Sequence, residues 1–161
     1  MIKGEPGPWI CDACGEPILE PKDAMVQWLH KVDNHKMVGR DLKLVHHSIK
    51  SPRGDSGCYP NERSEVMRDG CTLADFQLHN KMGVNGFVTF LELMIDGGLS
   101  REDVAVMMMR IFVPGYEKAR LYLDAALKEG VVEPGKPHGL LFEGEINDIL
   151  KSMDKLKSDD E

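Results

Sequence analysis

Two cysteines near the start of the chain have the spacing of a metal-binding pair. Cys11 and Cys14 are separated by two residues and followed by Gly15, so a tight turn can direct both sulfurs at one ion. Glycine at that position permits the positive φ that turns backbone N–H groups towards the thiolates. A redox pair of the same spacing opens a helix in a βαβ context, which Pro17 and the surrounding sequence do not favour. The pattern therefore predicts a bound metal ion rather than a disulfide-exchange site.

A structural zinc ion takes four ligands, so two more side chains must join the cysteine pair. The candidates are His30, His35, His46, His47, Cys58 and Cys71. His46 and His47 end a predicted strand that can fold back over the cysteine turn, as in a zinc ribbon or treble clef, and Cys58 closes the next loop. Strand alternation directs one of the two histidines inwards without saying which. Cys71 can replace Cys58 or be a small buried apolar residue. The predicted ligands are Cys11, Cys14, His46 and Cys58, and the predicted cofactor is Zn²⁺.

The elements that must position these ligands follow from the spacing of apolar residues. Residues 25–29 and 42–45 alternate as strands around a turn signal at Asp33-Asn34, which predicts a β-hairpin. Residues 48–60 are rich in turn-forming residues and predict a loop. From Thr72 onwards the spacing becomes helical, and the predicted helices span 73–83, 87–95, 100–112, 115–129 and 143–157. Gly97-Gly98 is predicted to end the second helix, and Ser100 to cap the third.

This order of elements predicts an α+β protein in which a small zinc-stapled β-hairpin module leads into a bundle of four or five helices. The predicted division is 1–62 for the zinc-binding module, 63–133 for the helical bundle, and 134–161 for a hinge, a last helix and an acidic tail. Zinc would offset the poor apolar core of the first sixty residues. Folding of that module is therefore expected to depend on metal.

Residues 11–61 also resemble the HNH-type endonucleases. The resemblance rests on the cysteine turn, a strand that ends in His46-His47, a loop rich in Pro and Gly, and Asn61. It implies that His47 is the general base that activates water, while a divalent ion stabilises the leaving oxygen. The closing histidine of the family would fall near Asp69-Gly70, and the next histidine in this chain is His79.

Composition and charge limit the partners and the compartment. The chain has 161 residues, of which 42% are hydrophobic, and a net charge of −7. The first sixty residues are electrically neutral and concentrate Lys and Arg between 31 and 53, so this is where a nucleic-acid contact is expected. No apolar run approaches the roughly 20 residues that cross a bilayer, and the N-terminus lacks the apolar region of an export signal. The prediction is a cytoplasmic protein with no membrane partner.

Two features of the helical part have an ordinary structural interpretation. Arg110 and the segment 117–120 are expected to form a solvated face with local ion pairs. The helices at 100–112 and 115–129 are expected to pack as a helical hairpin. A DNA-reading helix-turn-helix is disfavoured because the second helix mixes acidic residues among its basic ones.

The function that these features favour is a zinc-binding, non-catalytic binding or regulatory protein. Its partner would be a protein or a nucleic acid engaged near the hairpin. The first alternative is an HNH-like metal-dependent nuclease, and the second is an acidic inhibitor that mimics the charge of nucleic acid. The sequence holds no phosphate-binding glycine loop, Gly-x-Ser-x-Gly elbow or His-Glu-x-x-His pair, so the corresponding enzyme classes are excluded.

Overall fold

The structure is a computed structural model that describes residues 6–135 and 139–159. Within these residues the chain forms two small β-sheets and six α-helices, which confirms the predicted α+β class. The strands are β1 (Trp9–Ile10), β2 (Pro17–Ile18), β3 (Ala24–Asp33), β4 (Lys36–His46) and β5 (Thr72–Gln77). The helices are α1 (Glu62–Asp69), α2 (Gly83–Asp96), α3 (Arg101–Phe112), α4 (Tyr116–Arg120), α5 (Leu123–Lys128) and α6 (Glu143–Asp159). Part of the predicted hinge and the end of the acidic tail lie outside the described residues.

The predicted β-hairpin is confirmed and is longer than its apolar alternation indicated. β3 and β4 pair antiparallel from Ala24↔His46 to Asp33↔Lys36. Asn34 and His35, between the strands, have φ angles of 47° and 64°. Positive φ at both central residues is the geometry of the tight turn that matches the twist of two paired strands. The hairpin carries His46 back to the level of Ala24, beside the start of the chain.

The predicted helix at 73–83 is wrong in its first half, which forms strand β5. β5 pairs antiparallel with β3 and gives a three-stranded sheet of order β4-β3-β5. Leu73 and Phe76 have a spacing that fits a helix, but the open edge of β3 supplies hydrogen-bond partners for a strand. The ring of Phe76 also packs edge-on, with centroid distances of 5.9 Å to Trp28 and 5.5 Å to Phe90. Tertiary pairing and packing therefore override the local preference.

The other helical predictions are confirmed apart from one interruption. α2 ends at Asp96 before Gly97, and the Ser100 side chain accepts a hydrogen bond from the Asp103 N–H at the start of α3. The predicted helix at 115–129 is divided into α4 and α5. Between them the Tyr122 N–H bonds to the Ala119 carbonyl, three residues back, and this tighter turn interrupts the α-helical ladder.

The described residues bury two apolar clusters. The first core joins the β1–β2 turn, residues from both faces of the three-stranded sheet, α2 and α3, and includes Trp9, Val26, Leu44, Phe90, Val104 and Ile111. The second core joins α4, α5 and α6 and includes Tyr116, Ala119, Ala126, Ile146, Ile149 and Met153. No described helix is long and apolar enough to cross a bilayer.

Candidate metal centre

The cysteine turn is held by its own backbone. β1 and β2 pair antiparallel, with Trp9 opposite Ile18, and the turn between them carries Cys11 and Cys14. The Cys11 N–H donates to the Glu16 carbonyl at 3.0 Å, and the Gly15 N–H donates to the Cys11 carbonyl at 2.9 Å. Gly15 has a φ of +79°, the conformation predicted for the residue after the second cysteine. The turn is therefore formed by the chain itself and presents both sulfurs on one side.

The hairpin and the loop after it bring the other two candidate ligands to this turn. The His46 Nδ1 atom, at the end of β4, lies 3.4 Å from the Cys14 sulfur and 3.9 Å from the Cys58 sulfur. The ligand atoms of Cys11, Cys14, His46 and Cys58 all lie within 4.8 Å of one another. Four atoms at the corners of a tetrahedron around zinc are separated by roughly 3.5–4 Å, given bonds of about 2.0–2.3 Å. The group is thus compact enough to hold one metal ion.

The surroundings orient the donor atoms towards the centre of the group. The His46 Nε2 atom lies 3.2 Å from the Pro17 carbonyl oxygen, so Nε2 carries the proton and Nδ1 presents its lone pair to the sulfurs. The Ser51 hydroxyl lies 3.1 Å from the Cys58 sulfur and can donate to it. Cys11, His46 and Cys58 are buried, and Cys14 is half-buried. Three sulfurs and one oriented imidazole nitrogen form a donor set that fits zinc.

The acid–base properties of the cysteine pair also favour a cation at this position. Burial raises the pKa of Cys11, but hydrogen bonds from the backbone N–H groups of Cys14, Ala13 and His46 outweigh it and lower that pKa to about 7. The pKa of Cys14 is raised to about 11 by burial and by the neighbouring sulfurs of Cys11 and Cys58. The first thiolate therefore forms readily, whereas the second is opposed by the charge of the first. A bound cation would remove that opposition.

The alternative ligands that the sequence left open lie outside this group. His47 is not in the group; its Nε2 lies 3.4 Å from the Gln77 amide nitrogen instead. Cys71 is buried elsewhere, and its backbone N–H donates to Asp69. Asn61 caps α1 by accepting from the Ser64 N–H. Within the described residues, this group is the one cluster of His, Cys, Asp or Glu that could hold a metal ion. His47 is not a member of this group.

A buried ion network next to the cysteine turn was missed by sequence reasoning. Arg110 and Glu117 are each only 4% exposed, so the solvated face predicted for them is wrong. The Arg110 guanidinium donates to Glu117 at 2.8 and 2.9 Å and to Asp12 at 2.7 Å. Asp12 lies between the two cysteines and also accepts from the Leu44 N–H at 2.7 Å. The Ile10 N–H donates to Glu117 at 2.8 Å. The network joins the cysteine turn to β4, α3 and α4.

The sequence offered one weak signal for this network. Arg110 and Glu117 are seven residues apart and flank Val113-Pro114-Gly115, so a chain reversal there could bring them together. Nothing in their local spacing shows that Asp12, almost a hundred residues earlier, completes the group. Comparison of the chain with protein-family models, with curated proteins and with solved structures finds no match to any of them.

Proposed function

We propose that the protein binds one structural zinc ion through Cys11, Cys14, His46 and Cys58 and acts as a non-catalytic binding module. The observation that carries the proposal is the convergence of these four ligand atoms from three separate segments of the chain. When bound, zinc would supply charge neutralisation of the thiolates and a cross-link between those segments. Four protein ligands leave no position for water or substrate, which is the arrangement of a structural rather than a catalytic site.

The metal proposal is tested by elemental analysis of the purified protein. One zinc per chain is expected for the unaltered protein and for Cys71→Ser, which alters a buried cysteine outside the group. Cys11→Ser and Cys58→Ser are each expected to lose the metal. For the histidines, His46→Ala is expected to lose zinc and His47→Ala to retain it. Retention of full zinc in either ligand-cysteine variant, or equal loss in Cys71→Ser, would contradict the four-ligand site.

An exposed apolar face of α2 supports a protein partner over a nucleic acid. Five apolar side chains recur along this helix at helical spacing and are all exposed: Val84, Phe87, Val88, Leu91 and Ile95. Val84 is 79% exposed and Ile95 is 73% exposed. The stripe contains no charge, and phosphate contacts require cations. Contiguous exposed apolar surface of this kind is typical of protein interfaces.

The charges beside this stripe indicate the chemistry of the partner. Glu92 and Asp96 lie on one flank of the α2 stripe, and both are exposed. The other flank continues into α3, where the ring of Phe112 packs against Phe87 at a centroid distance of 5.8 Å. The partner that complements this surface is an amphipathic helix of another protein, with basic residues beside its apolar face.

The partner proposal is tested with synthetic helical peptides that carry Leu along one face and either Lys or Glu beside it. The Lys peptide is expected to bind the unaltered protein more tightly than the Glu peptide. Binding should be lost in Leu91→Lys and kept in Leu121→Lys, which alters an exposed leucine outside α2. Equal binding of the Lys peptide by Leu91→Lys and Leu121→Lys would contradict the proposal.

Self-association of the protein that is abolished by Leu91→Lys would instead assign the stripe to a second copy. Nicking of plasmid DNA with Mg²⁺ that disappears in His47→Ala would favour the nuclease alternative.

A further inference from the structure

The three cysteines of the metal group differ in their exposure to solvent. Cys11 is 1% exposed and Cys58 is 3% exposed, whereas Cys14 is only half-buried. The reaction of a thiolate with a dissolved oxidant depends on how far that oxidant can reach the sulfur. A small oxidant that approaches the group from solvent therefore meets Cys14 first.

Hydrogen bonds to the sulfurs separate the three cysteines in the same order. The Cys11 sulfur accepts from three backbone N–H groups, which belong to Ala13, Cys14 and His46. The Cys58 sulfur has the Ser51 hydroxyl beside it at 3.1 Å, whereas the Cys14 sulfur accepts from one backbone N–H group, that of Glu16. Hydrogen bonds that stabilise a thiolate also make it a weaker nucleophile. With all three sulfurs held as thiolates, Cys14 is therefore the strongest nucleophile of the group.

The cysteine turn holds its two sulfurs at a separation that a disulfide can close. Cys11 and Cys14 are three residues apart across a turn, and the ends of such a turn lie less than about 7 Å apart. Disulfides join Cα atoms that are about 4.4–6.8 Å apart. The two sulfurs already lie within 4.8 Å of each other. A bond between them can therefore form inside the turn, without help from β4 or the loop after it.

We propose that the metal group is a redox switch, in which hydrogen peroxide converts Cys11 and Cys14 to a disulfide and the metal is released. The inference rests on the zinc site proposed above. The Cys14 thiolate attacks one peroxide oxygen, the O–O bond breaks, and hydroxide leaves, which gives a sulfenic acid on Cys14. The Cys11 thiolate then attacks the Cys14 sulfur, the S–S bond forms, and a second hydroxide leaves. The two sulfurs together lose two electrons, and one peroxide gains them.

Oxidation would disconnect the cysteine turn from the other two segments of the group. Once the two sulfurs of the turn are joined, only His46 and Cys58 keep free donor atoms, and two ligands are too few for a structural zinc site. The turn itself should stay in place, because Asp12 keeps its hydrogen bonds with Arg110 and Leu44. The part expected to loosen is the loop that carries Cys58, which loses its cross-link to the turn.

The proposal is tested by titration of the zinc-loaded protein with hydrogen peroxide, while a colorimetric indicator measures the released zinc. One zinc is expected to leave for each peroxide consumed, and a thiol reductant with added zinc should restore the loaded protein. Tryptic digestion and mass spectrometry then locate the disulfide. A Cys11–Cys14 bond lies within one peptide, since no Lys or Arg separates the two residues, whereas a bond to Cys58 would join two peptides. Amide hydrogen exchange of residues 48–58 should become faster after oxidation.

A trapping reagent and one variant provide the controls. Dimedone, which reacts with sulfenic acids, is expected to label Cys14 at early times. Cys71→Ser, which alters the cysteine outside the group, should release zinc as the unaltered protein does. The inference is overturned if zinc stays bound, if the disulfide includes Cys58 or Cys71, if dimedone labels Cys11 first, or if Cys71→Ser releases zinc more slowly. Zinc content measured before the titration tests the metal proposal separately, so a loaded protein that resists peroxide would leave that proposal standing.

Discussion

The two cores of the molecule are assembled in different ways. The second core is built from consecutive helices between Tyr116 and Met153 and is lined by aliphatic and aromatic side chains. The first core gathers segments from Trp9 to Ile111, and around the cysteine group these segments are the turn between two two-residue strands, the end of β4 and the loop after it. Closing loops between distant segments costs chain entropy, and the turn and the loop are too short to offset that cost by packing alone. If the proposed zinc ion is bound, its cross-link should therefore matter most in the first core.

The buried network of Arg110 is where the two cores meet. Its carboxylate partners come from both sides, Asp12 from the cysteine turn and Glu117 from α4. Arg120, one turn after Glu117, adds a second guanidinium to the same carboxylate at 2.6 Å. The two regions are thus coupled by ionic hydrogen bonds in a water-poor environment, where removal of one partner is costly. Removal of the proposed metal and disruption of this network should therefore have separable effects on stability.

Removal of the metal is expected to have the largest effect, and to act on the first core alone. Zinc binding in small modules contributes about 10–16 kcal/mol, which matches or exceeds the roughly 5–15 kcal/mol of stability of a whole domain. Treatment with a chelator should therefore unfold the sheet and the cysteine turn while the second core persists. Both tryptophans, Trp9 and Trp28, lie in the first core, so their fluorescence reports it. Methyl resonances of Ile146 and Ile149 report the second core.

The control for this experiment is the Cys71→Ser variant, which should respond to the chelator as the unaltered protein does. If the tryptophan and isoleucine signals were lost together, the two cores would be one cooperative unit. If neither signal changed, the first core would not depend on metal at all.

Disruption of the ion network is expected to have the second largest effect on stability. Arg110→Met is expected to destabilise the protein by about 3–5 kcal/mol, the usual cost of removing one partner of a buried ion pair. The variant leaves Glu117 buried and Asp12 without its strongest donor. Chemical denaturation measures the change, and zinc content should stay at one per chain. In the double variant Arg110→Met with Glu117→Gln, the loss should be smaller than the sum of the two single losses. Additive losses would contradict direct coupling.

Lowering the pH tests the same network, with a smaller expected loss of unfolding free energy. Burial by itself raises the pKa of Glu117, but the hydrogen bonds from Arg120 and Arg110 outweigh it and lower the pKa from 4.5 to about 2. A carboxylate with a depressed pKa stabilises the fold fully above its unfolded pKa, and this stability is lost as the pH falls from about 4.5 towards 2. The shift corresponds to about 3 kcal/mol. Glu117→Gln should lack this part of the pH dependence.

The proposed metal centre would complicate the acid experiment, because thiolate ligands also take up protons as the pH falls. The free energy of unfolding should therefore be compared between Glu117→Gln and the unaltered protein at equal zinc content at each pH. The difference between the two curves isolates Glu117. A difference that stayed constant from pH 6 to pH 3 would show that the carboxylate is not held in its charged form by the two arginines.

Features with a local sequence signal could be predicted, and features that depend on distant residues could not. The four members of the metal group were predicted because their signals are local: a two-residue spacing, a strand end and a cysteine that closes a loop. His46 was preferred to His47 although strand alternation gives two faces without identifying the inner one, and the structure places His46 in the group. Strand β5 was missed because Leu73 and Phe76 fit a helix equally well, and the edge of β3 decided between them. The burial of Arg110 was missed because its partner Asp12 is distant in sequence.

The smallest effect is expected from an arginine that resembles Arg110 in its partners but not in its exposure. Arg40 of β4 donates to Glu65 at 2.6 Å and to Asp69 at 2.9 Å in α1, and its side chain is 29% exposed. Water screens these pairs, and exposed ion pairs contribute about 1 kcal/mol or less. Arg40→Met should therefore cost no more than about 1 kcal/mol in chemical denaturation. This loss of unfolding free energy should shrink further in about 1 M salt, where the screening length is near 3 Å.

Arg110→Met, measured with and without the salt, should show a large loss of unfolding free energy that salt hardly changes, because the partners of Arg110 are buried. An equal loss of unfolding free energy in Arg40→Met and Arg110→Met would mean that burial does not determine the strength of these ion pairs. The network between the two cores would then be no stronger than an ion pair at the surface.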